Sequence, residues 1–150
     1  MIEDFIKANE LKAKLIFCSK KVRTVQQAAG FMNVCIDEVA KSILFILDNN
    51  EPVLAVVAGD KKVSERKLKS IFNSKTVRLA APKEVEEITG YEIGAVPPIS
   101  VYGVKTVIDK KLASKAQIIC GGGSDQHLLC ISSEELLEFA FEIRREDISE

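Results

Sequence analysis

The chain has 150 residues, 47% of them hydrophobic, and its 21 basic and 22 acidic residues leave a net charge of −1. This length and composition fit one globular domain, and the balanced charge disfavours a protein that holds nucleic acid through many phosphates. No apolar run reaches the roughly 18 residues that span a bilayer, and Met1–Asp4 carries acid where a secretory signal is basic. We therefore expect a cytoplasmic protein without a membrane segment.

The first half of the chain predicts helices around a buried hairpin. Thr24 is a predicted helix N-cap with Gln27 in the capping-box position, and Gly30 is expected to end that helix. The predicted elements are a helix and following turn over Glu3–Ile16, a helix from Thr24 to Gly30, a helical turn from Ile36 to Lys41, strands over Ser42–Asp48 and Pro52–Ala58, a helix over Ser64–Phe72 and a strand over Thr76–Ala80.

The second half predicts further strands between a short helix and a C-terminal helix. The predicted elements are a helix over Pro82–Gly90, an irregular loop over Tyr91–Pro98, strands over Val101–Asp109, Ala116–Cys120 and His127–Ile131, and a helix that follows the capping box Ser132–Glu135 and extends to Ile143. Strands and helices mix without strict alternation. We therefore predict an α+β fold with a mixed sheet, in a single domain over residues 1–150.

The cysteines and the single histidine, His127, do not have metal-site spacing. The cysteines form no C-x-x-C pair and all have apolar neighbours; they are Cys18, Cys35, Cys120 and Cys130. We interpret them as buried, reduced thiols and predict neither a metal site nor a cofactor.

Three features are candidates for a binding or catalytic site, and each also has a purely structural interpretation. Lys41 stands at the start of an apolar strand. It is either a fixed cation in a pocket or a surface lysine whose aliphatic chain lies along the strand. The rigid loop Gly94–Pro98 presents backbone groups or is an ordinary connection. Gly121–Gly123 cradles an anion or forms a β-turn.

The order of these segments resembles the YbaK / prolyl-tRNA synthetase-associated deacylases. The similar segments run in order from Val22 to Phe139; they are Val22–Ala29, Val39–Phe45, Val56–Asp60, Thr89–Pro98, Val107–Leu112, Gly121–Gly123 and Ile131–Leu136. Each segment alone is a weak signal, whereas the ordered set is specific. Two positions depart from the family pattern: Cys18–Lys21 lacks a histidine that members often carry, and Ser42 stands where some members have Asn.

The resemblance implies a compact α+β domain around a mixed, barrel-like sheet, and hydrolysis of the ester between an amino acid and the terminal adenosine of tRNA. It implies Lys41 as the catalytic residue. The implied substrate-binding residues are Thr24, Ser42, Gly94, Ala95, Val96, Pro97, Pro98, Gly121, Gly122 and Gly123.

The function that follows is a free-standing editing hydrolase for mischarged tRNA, with Ala or Cys on the proline-specific tRNA as the expected error. Its partners would be the acceptor end of that tRNA and, transiently, an aminoacyl-tRNA synthetase, with neither DNA nor membrane. The alternative is a non-catalytic module that binds an aminoacyl or nucleotide-like ligand in the same pocket.

Overall fold

The computed structural model describes every residue from Met1 to Glu150. The helices are α1 (Ile2–Ala8), α2 (Val25–Met32), α3 (Glu65–Ile71), α4 (Pro82–Thr89), α5 (Lys110–Ala113) and α6 (Ser133–Phe139), with a 3-10 helix at Ile36–Glu38. The strands are β1 (Lys14–Phe17), β2 (Ala40–Leu47), β3 (Pro52–Ala58), β4 (Val77–Leu79), β5 (Lys105–Asp109), β6 (Gln117–Gly121), β7 (His127–Ser132) and β8 (Arg144–Glu146). None of the helices has the length and apolar character that crossing a membrane would need.

The strands form two sheets. The five-stranded sheet has the order β4-β2-β3-β5-β8, in which β2 pairs antiparallel with β3 and β4, and β5 pairs parallel with β3 and β8. The three-stranded sheet, β1-β7-β6, is antiparallel. A single parallel bridge between Val39 and Ile119 links the two. The predicted α+β class with a mixed sheet is confirmed, with the strands divided between two sheets.

The continuous apolar run of β3 follows from its position in the middle of the larger sheet. Both faces of β3 are covered, and its residues from Val53 to Val57 are fully buried. On one face Val56 packs in a cluster with Leu129 of the smaller sheet, and on the other Val57 packs in a cluster with Leu68 of α3. A strand buried on both faces is apolar at every position, which explains why the hairpin was predictable from sequence.

The N-terminal segment differs from the prediction of one helix and a turn over Glu3–Ile16. The helix α1 ends at Ala8, and Lys14–Phe17 forms β1, which pairs with β7 in a register that sets Lys14 opposite Cys130. The prediction is wrong over β1 because a four-residue strand carries too little pattern to show a partner so distant in sequence.

The predicted N-cap of α2 is confirmed, but its predicted end is wrong. Thr24 Oγ1 accepts a hydrogen bond from Gln27 N–H at 3.1 Å. The Gln27 side chain accepts from Arg23 N–H at 2.8 Å, so the capping box is not closed on Thr24. The helix runs past Gly30 and ends at Asn33, whose φ of 56° is left-handed. Asn tolerates that conformation and serves as the helix end in place of glycine.

Three further predicted boundaries are wrong. The helical turn after Ile36 ends at Glu38, so Lys41 belongs to β2; the strand predicted from Val101 begins at Lys105; and the C-terminal helix ends at Phe139, with β8 following it. Positive φ angles at Ser100 (65°) and Gly103 (76°) break the extended backbone before β5. Of the cysteines, Cys18 and Cys120 are buried as predicted, whereas Cys35 is exposed and Cys130 half-buried.

Candidate functional site

A cavity of about 480 Å³ opens beside the first half of β2. It is bounded by the start of α2, by β2, by the end of β4 and by the loop before Pro97, with residues of β6 and β7 completing the wall. The helix α2 is held there by a core cluster in which Ala28 and Ala29 pack with Val39, Ile119 and Leu128, at the junction of the two sheets. The cavity therefore lies where the larger and smaller sheets diverge.

Six of the residues predicted for a site line this cavity, and five do not. Those in the cavity wall are Thr24, Lys41, Ser42, Gly94, Val96 and Gly121. Those outside it are Ala95, Pro97, Pro98, Gly122 and Gly123. The first set comes from four segments that are distant in sequence, so the fold brings together residues that the sequence only suggested as separate candidates.

Two glycines hold the loop against its neighbours. A Cβ built on Gly94 would lie 2.9 Å from the carbonyl oxygen of Arg23, and a Cβ on Gly121 would lie 2.7 Å from that of Val96. Both distances are shorter than real contacts of a Cβ with backbone, so neither position can take a side chain without a shift of main chain. Close backbone approach, rather than side-chain chemistry, explains glycine at these two positions.

The glycine turn fixes the loop and does not offer a free anion cradle. Gly123 N–H donates to Ala95 O at 2.9 Å, and Gly122 N–H donates to His127 O at 3.1 Å. These two N–H groups are already used inside the chain. Gly122, Gly123 and His127 instead line a smaller cavity of about 220 Å³, where Ser124 Oγ lies 2.7 Å from His127 Nδ1.

Lys41 is an unpaired cation in the cavity wall. Its ammonium forms no ion pair and no hydrogen bond within the chain, although Asp60 is close enough to act on it electrostatically. Partial burial lowers the pKa of Lys41, and the negative charge of Asp60 opposes that shift. A cation that is partly desolvated and unpaired is suited to bind an anionic or electron-rich group.

Ser42, the next residue, also lacks a partner. Its Oγ is buried and is the one buried side-chain oxygen or nitrogen of the chain that makes no hydrogen bond. Buried hydroxyls are nearly always hydrogen-bonded, and an unpaired one costs about 1–3 kcal/mol. Ser42 lines the cavity, although its Oγ has almost no accessible surface. Thr24 differs, because its Oγ1 is engaged in capping α2.

The cavity wall contains no imidazole or carboxylate, the side chains that most often act as general bases at neutral pH. No His, Asp or Glu lines it, and its ionisable residues are Arg23, Lys41 and Cys120. The Cys120 thiol is fully buried, which raises its pKa strongly, and its Sγ donates to Leu129 O at 3.5 Å. The cysteine is therefore an inert core residue, and any hydrolysis here would proceed without a protein nucleophile.

Sequence reasoning missed Arg23 and the apolar rim of the cavity. Arg23 lines the wall, and its guanidinium donates to Asp125 Oδ2 at 3.2 Å. Leu79 and Ile93, also in the wall, keep 58% and 55% of their surface exposed. Arg23 stands beside Thr24 within one of the recognised segments and could have been found there, whereas Leu79 comes from a strand that carries no motif.

Residues 19–139 match the family described as the aminoacyl-tRNA editing domain, and the chain belongs to that family. The proline–tRNA ligase of Nitratidesulfovibrio vulgaris strain DP4 is 37% identical over 111 residues, which are 73% of this chain but 19% of the ligase. The chain thus spans about a fifth of the length of these ligases. The uncharacterized protein YwhH of Bacillus subtilis is 34% identical over 119 residues, which are 79% of this chain and 75% of YwhH.

Solved structures share the whole fold. The hypothetical protein APE2540 superposes with a TM-score of 0.93 at 34% identity, and the match covers 99% of both chains. A proposed trans-editing enzyme for prolyl-tRNA synthetase superposes with a TM-score of 0.90 at 23% identity, over 99% of this chain and 94% of that one. The expected resemblance to editing domains is confirmed, and the second likeness concerns the fold alone.

Proposed function

We propose that the chain is an aminoacyl-tRNA deacylase that acts in trans on mischarged tRNA. The observation that carries this proposal is the unpaired ammonium of Lys41, a residue that lines the cavity of an editing-domain fold. The match to most of YwhH, a protein that is not named a ligase, supports a domain that works apart from a synthetase.

The reaction is the hydrolysis of the ester that joins the amino acid to the terminal ribose. Water attacks the ester carbonyl carbon, negative charge develops on the carbonyl oxygen, and the bond from carbon to the ribose oxygen then breaks. The proton lost by the water is taken up by the leaving ribose oxygen. The products are the free amino acid and a tRNA with a free terminal hydroxyl.

Lys41 would supply the positive charge that this reaction needs. Its ammonium can hold the terminal phosphate or stabilise charge that develops on the ester, and an interaction of this kind is stronger in a partly desolvated wall than in water. Gly94 and Val96 border the same space, and their main chain would hold the ester and the water in position. Since the wall has no carboxylate or imidazole, we assign the proton transfer to a hydroxyl of the substrate ribose or to the substrate amine.

The substrate that we propose is Ala or Cys on the tRNA specific for proline. The cavity of about 480 Å³ has an apolar lining that suits a small side chain, and several relatives that match this domain are proline–tRNA ligases. Contact would be confined to the acceptor end, together with transient contact to the synthetase that made the error. The net charge of −1 fits so local a contact.

The test is a panel of proline-specific tRNAs charged with alanine, cysteine, serine or proline. We expect alanine or cysteine to be released at least about tenfold faster than in buffer, which corresponds to a barrier lowered by about 1.4 kcal/mol. We expect prolyl-tRNA to stay intact. Ester loss from none of the four at any enzyme concentration contradicts the proposal.

The second candidate is a non-catalytic module that binds an aminoacyl or nucleotide-like ligand. The absence of an imidazole or carboxylate from the cavity wall favours it. The same panel separates the two, because a binding module would retain the charged tRNA on a filter without shortening the lifetime of its ester.

A further inference from the structure

The hydrogen-bond pattern of β2 leaves one stretch of main chain open to the cavity. Gly59 N–H donates to Val39 O at 2.6 Å, Leu47 N–H donates to Glu51 O at 2.9 Å, and the register between β2 and β3 is unbroken between these pairs. Because hydrogen-bonded and non-hydrogen-bonded pairs alternate in an antiparallel ladder, the odd-numbered residues of β2 bond to β3. The N–H and C=O of Ser42 therefore point to the opposite edge.

That opposite edge is covered at both ends and open in the middle. At one end Val39 forms the bridge to Ile119 of the smaller sheet. At the other end Leu44 O accepts from Ala80 N–H at 3.0 Å, and β4 pairs with Phe45–Leu47. No strand pairs with this edge of Ser42, and no turn or loop residue bonds to its main chain. One strand position thus faces the cavity with an N–H donor and a C=O acceptor.

The exposure of Ser42 agrees with this geometry. The residue is partly exposed and lines the cavity, yet its Oγ is buried. Its accessible surface therefore belongs to the main chain and Cβ. Lys41, whose ammonium has no partner, lines the cavity from the adjacent position.

We propose that this open edge binds the α-aminoacyl group of the substrate as if it were one residue of an added strand. The substrate amine donates to Ser42 C=O, and the ester carbonyl oxygen accepts from Ser42 N–H. An aminoacyl ester carries this donor and this acceptor on either side of one Cα, as does a strand residue that faces Ser42. The amine can donate in its neutral form as well as in its protonated form. This hydrogen bond therefore does not require a second positive charge close to Lys41.

This inference rests on the proposed deacylase function and adds a rule of recognition to it. The amine and carbonyl of every amino acid would be recognised alike by main chain, and the remaining walls would select the side chain by size. An acyl group without the amine would lose one of the two bonds. The site therefore takes α-aminoacyl esters and discriminates against simple acyl esters of the same shape.

The experiment compares two stable analogues of the charged end, 3′-alanylamino-3′-deoxyadenosine and 3′-propionylamino-3′-deoxyadenosine. They differ only in the amine, so the second cannot be rejected by a clash. Each is tested on the full chain as an inhibitor of deacylation and as a ligand in NMR titrations that follow the Ser42 amide and carbonyl resonances. We expect the alanyl analogue to bind at least about tenfold more tightly, because the propionyl analogue lacks the hydrogen bond from the amine to Ser42 C=O. We also expect the Ser42 carbonyl resonance to move with the alanyl analogue only.

Equal binding of the two analogues, or binding that leaves both Ser42 resonances unmoved, would overturn the inference. The Ser42→Ala variant keeps both main-chain groups and should retain the tenfold ratio; loss of the ratio in this variant would assign recognition to the hydroxyl and also overturn it. Failure of the proposed function is seen separately, as a chain that binds the analogues with this selectivity but does not hydrolyse any charged tRNA.

Discussion

Gly94 packs its Cα against the main chain of Arg23, with room for a hydrogen but not for a methyl group. A Cβ on Gly94 would lie 2.9 Å from the Arg23 carbonyl oxygen, and the φ of Gly94 is 86°. Both residues line the cavity. The contact therefore sets the distance between the loop and the start of α2, and with it the width of the proposed active site.

The variant Gly94→Ala should reduce both stability and deacylation. The positive φ costs an L-residue about 1–2 kcal/mol, and relief of the contact with Arg23 would move one wall of the cavity. We expect a free energy of unfolding lowered by more than about 1 kcal/mol and a single-turnover rate lowered at least about tenfold. Urea denaturation and rapid-quench deacylation measure the two effects.

Gly103→Ala is the matched control. Gly103 also has a positive φ, 76°, but a Cβ there would meet no atom within 4 Å, and the residue does not line the cavity. This variant should lose stability through strain and keep its rate. A rate loss in Gly103→Ala equal to that in Gly94→Ala would mean that strain alone, not the contact with Arg23, lowers activity.

The parts of the fold that sequence predicted are those with local causes. The Thr24 cap, the helix from Pro82 that ends at Gly90, and the buried hairpin each depend on residues a few positions apart. The strands β1 and β8 were missed because they have four and three residues, and their partners lie far along the chain. Their pairing is a property of the packed structure, and no short window of sequence contains it.

The candidate site was predictable only in part. Lys41 stood out because a charge at the start of an apolar strand needs an explanation, and Gly94 because glycine before two prolines suggests a fixed loop. The open edge of Ser42 could not be foreseen, since it depends on where β4 stops pairing with β2 and on the single bridge from Val39 to Ile119. Gly121 was expected either to help cradle an anion or to form a β-turn, and its place is set by contact with Val96.

The variant Lys41→Met should lose deacylation and keep its fold. Methionine retains the apolar stem and removes the charge, and partial burial already disfavours the charged form, as the lowered pKa of Lys41 shows. We expect a rate at least about a hundredfold lower, the effect of removing one electrostatic donor from an active site, with an unchanged melting temperature. Lys69→Met, at an exposed lysine of α3 that forms no ion pair, is the control. Full activity in Lys41→Met would remove Lys41 from the mechanism.

The same pKa shift predicts how the reaction depends on pH. An ordinary lysine has a pKa near 10.4. Because burial lowers the pKa of Lys41, its ammonium loses its proton at a lower pH than that. The enzymatic rate, divided by the uncatalysed rate of ester loss, should therefore fall as pH rises through that lowered pKa. Lys41→Arg, which stays charged, should not show this fall in whatever activity it retains. An identical fall in both would assign the titration to another group.

Deacylation should not require a divalent metal ion. No His, Asp or Glu lines the cavity, so the site lacks the usual oxygen and imidazole ligands. Outside it, Cys35, Asp37 and Glu38 place ligand atoms within 4.8 Å of one another, and Asp37 already pairs with Lys115. We expect full activity in excess EDTA and in Cys35→Ala. Loss of activity in EDTA with recovery on adding zinc would show a metal-dependent reaction.

Acid should weaken the packing of α4, whose Val85 lines the cavity. The Arg78 guanidinium donates to both Glu84 oxygens at 2.7 and 2.8 Å, and Ala81 N–H donates to the same carboxylate at 2.9 Å, which lowers the pKa of Glu84 to about 2. A carboxyl with a lowered pKa stabilises the fold above its unfolded pKa near 4.3, and this stabilisation is lost as pH falls to about 2.

Glu84→Gln should therefore be less stable than the parent at pH 7, and the difference should shrink as pH falls from about 4.3 to about 2. Urea denaturation across this range measures it. Glu87→Gln, at an exposed glutamate of the same helix that forms no ion pair, should not show a difference that depends on pH in this way. A constant difference between Glu84→Gln and the parent at all pH values would mean that the pair with Arg78 contributes no stability.

Affinity for charged tRNA should depend weakly on salt concentration, and Asp125 should limit this affinity. With 21 basic and 22 acidic residues the chain can neutralise few phosphates, and we expect a slope of log affinity against log salt that corresponds to roughly two or three contacts.

Asp125 Oδ2 lies 3.2 Å from the Arg23 guanidinium, which lines the cavity, and 3.9 Å from the Lys21 ammonium. Asp125→Asn would free both cations for phosphate and should raise affinity about two- to fivefold, the equivalent of one exposed ion pair. Arg23→Ala should lower the slope by about one. Asp147→Asn, whose partner Lys67 is outside the cavity wall, makes the same change in net charge and should leave affinity unchanged. Equal gains in Asp125→Asn and Asp147→Asn would show that net charge, not the Arg23 position, governs binding.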